Sequence, residues 1–181
     1  MRRRTRVRAR SVLCLLALVP ALAVAAPPKR KAVQPARTVD QFVARAAGRS
    51  LAGVELSDLA LQRSENAAVR RLARRAHDEQ AHTYETLLGI ATGAGISAAP
   101  PGTIDLEQRG IKSRLSSLSG AAFDREYVAA LRTNDERDIA LYRAFARATK
   151  DAALKAWIEE QLATIRRRRQ LIDATAREVG A

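Results

Sequence analysis

A chain of 181 residues is long enough for one domain with a sizeable core, and 47% of its residues are hydrophobic although only 4% are aromatic. The formal charge of +13 invites a polyanion reading, but aromatic platforms and base-reading motifs are missing, which excludes a specific nucleic-acid binder. One cysteine, Cys14, excludes a disulfide framework.

The first 25 residues have the layout of a secretory signal peptide. Met1–Arg10 holds six Arg and no acid, Val12–Val24 is apolar apart from Pro20, and Ala23-Val24-Ala25 offers small residues for cleavage before Ala26. The apolar run is too short for an ordinary membrane span, which disfavours the competing reading of an uncleaved anchor. Ser11-Val12-Leu13 before Cys14 does not match a lipoprotein processing box. Cleavage after Ala25 would leave 26 basic against 19 acidic residues, a net charge of +7, with no thiol and no transmembrane span. Residues 26–37, APPKRKAVQPAR, read as a basic, Pro-containing linker.

The domain proper is expected over residues 38–181. Thr38-Val39-Asp40-Gln41 has the form of a capping box, so a first long helix should start there and run to about Arg63. Phe42, Ala46, Leu56 and Ala60 share one direction with Gly53 at its centre, and Glu55 points about 200° away, near solvent. Ser64 or Asn66 can cap a second helix running to about Ala91, with Val69, Leu72, Ala73, Ala76, Gln80, Thr83 and Leu87 facing inward. Gly93, Gly95 and Pro100-Pro101 end it in a loop. A shorter helix, Leu106–Leu118, carries Ile111, Leu115 and Leu118 and should cross from one helix pair to the other.

The third long helix follows the Ser119-Gly120 break. Its stripe is Phe123, Tyr127, Ala130, Leu131, Leu141, Tyr142, Phe145 and Ala148. Asn134 and Asp138 fall within about 20° of the centre of that stripe, so polar groups sit in the middle of a buried face. The fourth is capped by Asp151 and runs to about Val179 on Leu154, Ile158, Leu162, Ile165, Ile172, Ala176 and Val179. No segment alternates like a strand. The expected fold is all-α: a four-helix bundle of two hairpins with a short crossover helix.

Three runs carry a family resemblance: Phe42–Ala60 (FVARAAGRSLAGVELSDLA), Val69–Leu87 (VRRLARRAHDEQAHTYETL) and Leu118–Tyr127 (LSGAAFDREY). With them the chain resembles the bacterial exported domain of unknown function 4142 over about Asp40–Thr175. The Phe123-Asp124-x-x-Tyr127 pattern is the most specific element. The resemblance implies a ferritin-like bundle, an outer-membrane or periplasmic protein with no established activity. It also implies departures. The family pattern has Glu at Gly53, Asp-His at Glu79-Gln80, His at Asp135, and Pro and His at Ala163 and Arg168. A retained fold with a lost or altered metal site is what those departures suggest.

The residues themselves say little in favour of a metal. A ferritin-type di-metal site needs a Glu from each of two helices and an inward Glu-x-x-His on each of the other two. This chain has one such match, Glu79-Gln80-Ala81-His82. His82 lies about 140° and Glu79 about 80° from the direction of Val69, with His77 on the opposite flank. Glu79, His82, Asp135 and Asp138 are therefore weak metal candidates, and solvated histidines the simpler reading. No cofactor is expected, with iron or manganese as the alternative.

The inward polar set is Gln80, Asn134 and Asp138, with Asp135 at its edge. Arg168 and Arg169 lie about 55° either side of the last helix's stripe. A guanidinium beside Asp138 would do electrostatically what a metal cation does; the plainer reading is that both Arg extend to water. Arg166–Arg169 reads as a solvated face, or as a contact for an anionic envelope surface. Nucleophile elbows, phosphate loops and zinc patterns are lacking. The expectation is an exported, periplasmic or outer-membrane-associated, non-enzymatic protein of the cell envelope, with a structural, stress-related or interaction role. The alternative is a ferritin-like metal-binding or oxidase protein with unusual carboxylate ligands.

Overall fold

A computed structural model describes residues 38–95 and 105–181. The signal peptide and linker expected over residues 1–37, and the Pro100-Pro101 part of the loop, lie outside the described residues. The rest is helical: α1 (Val39–Arg63), α2 (Ala67–Gly93), α3 (Leu106–Ser116), α4 (Gly120–Ala148) and α5 (Ala152–Val179), with no strand among the described residues.

The caps explain the boundaries. Thr38 Oγ1 accepts from the Gln41 amide at 3.2 Å, Asn66 Oδ1 from Ala68 at 2.9 Å and Val69 at 3.2 Å, and Asp151 Oδ1 from Leu154 at 2.9 Å. Asp105 does the same for α3 through the Gln108 amide at 2.8 Å. That helix stops at Ser116, two residues short of the Leu118 expected for it, because Ser117, Leu118 and Ser119 form the turn into α4. Gly120 adopts φ 54° there, a backbone angle that L side chains rarely take.

α1 packs along α2 and α4 along α5, which makes two hairpins; α1 also faces α4, and α2 faces α5. α3 lies across α1 and α4. The core between them divides into two apolar clusters. One gathers Phe42, Val43, Leu87, Tyr142, Phe145, Ile158 and Leu162, with Phe42 stacked on Phe145 at 4.3 Å and Trp157 against its rim. The other gathers Leu56, Val69, Leu72, Leu115, Phe123, Tyr127, Leu131 and Ile172. On every long helix polar or small inward-facing residues separate the two clusters: Arg49, Ser50, Ala52 and Gly53 on α1, Gln80 and Thr83 on α2, Asn134, Asp135 and Asp138 on α4 and Arg168 on α5. The bundle is thus two oily ends with a charged waist. No helix among the described residues is long and apolar enough to cross a membrane.

Candidate functional site

Among the described residues, ionisable groups converge inside the bundle at the waist. Arg168 enters it from α5 with 3% of its surface exposed. Its Nη2 donates to Asp135 Oδ1 at 2.6 Å, its Nε to both Asp135 oxygens at 3.1 and 3.3 Å, and its Nη1 to Glu79 Oε2 at 2.9 Å. Glu79 also accepts from Arg75, one turn earlier on α2. Burial alone would lower the Arg168 pKa, yet Asp135 and Glu79 outweigh it and hold the guanidinium above its ordinary value. Burial pushes the Asp135 carboxyl up to about 6 against the pull of Arg168.

A second pair sits beside the first. Arg49, from α1, donates through Nε to Asp138 and through Nη2 to the Asn134 carbonyl at 2.9 Å. Its side chain keeps 15% exposure. Burial lowers its pKa, and the Asp138 charge more than compensates. Asn134 exchanges side-chain hydrogen bonds with Gln108 of α3 at 3.1 and 3.4 Å, so the crossover helix is tied into the same layer. Gln80 lies directly over Gly53. A Cβ at position 53 would approach Gln80 Cγ to 2.8 Å and Cδ to 3.0 Å. Gly53 is therefore what leaves room for this amide.

Gly53→Ala tests that packing. The helix gains about 1 kcal/mol in propensity but overpacks against Gln80 at a cost of about 1–3 kcal/mol. The expected result is a net loss of about 1 kcal/mol by urea unfolding, turning into a gain when Gln80 is also replaced by Ala. Stabilisation by Gly53→Ala alone would show that the contact is not tight.

The structure rearranges the expected pairings. Gln80, Asn134 and Asp138 are buried, as the stripe counting implies, and Arg168 is buried as well, where the plainer reading has it extend to water. Asp135, expected at the edge, has no exposed surface and takes Arg168 for itself. Asp138 pairs with Arg49 instead of Arg168 or Arg169. Arg169 is outside the layer: it stays half-buried at the rim, 3.6 Å from Glu136. The Arg166–Arg169 run shrinks accordingly, with only Arg166 and Arg167 exposed. Arg49 and Gln108 were missed, although both fall at helical spacing from core residues, seven positions after Phe42 and seven before Leu115.

Of the weak metal candidates, His82 is exposed and Glu79, Asp135 and Asp138 are bound by arginines. His77 sits near Asp58 at 3.5 Å and Asp78 at 3.1 Å on the outer surface. Among the described residues no group of three or more His, Cys, Asp or Glu side chains could hold a metal ion. The donor set does not fit a di-metal centre, because two guanidinium cations already stand against the inward carboxylates.

The Phe123-Asp124-x-x-Tyr127 pattern has a packing role. Phe123 and Tyr127 are fully buried and stack in parallel planes at 6.3 Å. Asp124 accepts from Ser64 Oγ at 2.6 Å, and that oxygen accepts in turn from the Asn66 amide at 3.2 Å. Tyr127 Oη lies 3.3 Å from Ser57 Oγ. The start of α4 is thereby pinned to the α1–α2 turn.

A family model described as "Domain of unknown function (DUF4142)" matches residues 24–175. No curated protein and no solved structure matches the chain.

Proposed function

The chain belongs to the family of the domain of unknown function DUF4142, and we propose that it is an exported helical-bundle protein of the cell envelope, ferritin-like in plan, non-enzymatic, with a structural, stress-related or interaction role and a degenerate metal site. One observation carries the non-metal half of the reading: Arg168 lies between Asp135 and Glu79 at the centre of the bundle. A fixed internal cation neutralises the carboxylates that would otherwise recruit a metal, so the site is degenerate as a metal centre.

The test is metal content. Protein purified without a His tag should contain no stoichiometric iron or manganese, and its melting temperature should not move on adding a chelator. Stoichiometric metal that disappears with Glu79→Ala or Asp138→Ala would overturn the proposal and favour the metal-binding or oxidase alternative. The export half of the reading rests on the first 25 residues. N-terminal sequencing of protein from the producing cell should begin at Ala26; a full-length chain in the cytosol would sink that half alone.

A further inference from the structure

The charged waist contains a small, partly open cavity of about 10 Å³, lined chiefly by Gln80, Thr83, Asp138, Tyr142, Gln161 and Arg168. We infer that this cavity is a binding site for a single water molecule that completes the hydrogen bonding of Asp138, Tyr142 and Gln80. The volume admits about one water and nothing larger.

The lining decides what fills it. Asp138 uses Oδ1 on Arg49, and among the described residues no hydrogen bond reaches its Oδ2. Tyr142 and Gln80 are only 4% and 5% exposed, and neither side chain has a hydrogen-bond partner among the described residues. Gln161 Oε1 accepts from Thr83 Oγ1 at 3.0 Å, which leaves its amide nitrogen over. Four polar groups that line one small space, without bonding each other, are what an internal water bridges. Small cavities stay dry when their walls are apolar, and these are not.

The donors and acceptors also match. Asp138 Oδ2 can only accept. Tyr142 stays a protonated donor, since burial and the neighbouring Asp138 charge both raise its pKa. A Gln amide can do either. Water can donate to the carboxylate, accept from the phenol and bond the amide in whichever sense remains. A cation would meet the Arg168 guanidinium in the same wall, and an anion would meet Asp138. The neutral molecule is the one that all the walls accept.

A crystal structure at a resolution that places internal waters tests this directly. One peak is expected within hydrogen-bonding distance of Tyr142 Oη and Asp138 Oδ2. Gln80→Leu should abolish it, because the branched apolar end removes a partner and fills the space. Tyr142→Phe, which keeps the ring packing, should reduce its occupancy. For the unaltered protein in solution, the Gln80 side-chain amide should show a cross-peak to long-lived water by NMR, so the claim does not depend on a variant folding. An empty wild-type cavity, or Tyr142 Oη bonded directly to Asp138 Oδ2 with the space closed, would overturn the inference.

Discussion

Asp135→Ala should destabilise the protein by about 3–5 kcal/mol, because it leaves a buried guanidinium without its principal partner. Arg168 makes four of its polar contacts inside the waist, three of them to Asp135. Glu79 remains after the substitution but is shared with Arg75, which places the loss toward the lower end of that range. The pair itself is a different matter from its halves. Replacing Asp135 by Leu and Arg168 by Met together should fall within about 1 kcal/mol of wild type, since the desolvation cost of both charges disappears with them.

The pH dependence carries the same information with a definite sign. The Asp135 carboxyl sits at about 6 in the folded protein against an ordinary 3.8. Folding therefore takes up a proton between those values. The contribution of this group is most favourable below the lower one and declines as pH rises through the upper one. Wild type should lose stability relative to Asp135→Asn between about pH 4 and pH 6. Urea midpoints at both pH values measure this; a gap that widens in favour of wild type at the higher pH would contradict the assignment.

Asp138→Ala comes second, at about 1–3 kcal/mol, and the ordering is itself the test. The two aspartates are three residues apart on one helix, both buried. Their partners differ. Arg49 retains some exposure and keeps its bond to the Asn134 carbonyl, so it can turn toward water when Asp138 is removed. Arg168 has no such outlet. Asp138→Asn should cost less than the alanine, because it retains an acceptor for Arg49. Equal losses at 135 and 138, or a larger one at 138, would show that exposure of the partner does not set the cost.

Much of this was legible in the sequence, and the failures have a common cause. Helix positions followed from Thr38, Asn66 and Asp151 as caps and from apolar spacing, and burial of Asn134 and Asp138 followed from their angle on α4. Single-helix counting cannot say which neighbour lies on which flank. Asp135 is about 80° from the Tyr127 direction, an edge position by counting, yet α5 covers that edge and brings Arg168 against it. Arg168 and Arg169 are equivalent on their own helix, and only the position of α4 separates the buried one from the rim. Arg49 and Gln108 had the right spacing. Their residue types argue for a solvated face, and it takes a carboxylate or an amide on another helix to overrule that.

The division of the core into two apolar ends by a charged middle has a consequence for alignment. A purely oily four-helix interface tolerates sliding, because leucine meets leucine again one turn along. Here a slip of α4 by one turn, about 5.4 Å, would carry Asp135 or Asp138 out of reach of its arginine and into a hydrophobic cluster. The waist acts as an index mark between the hairpins. The Leu/Met double replacement that leaves stability almost unchanged would erase half of that mark, and the protein would hold together just as firmly with less to say where.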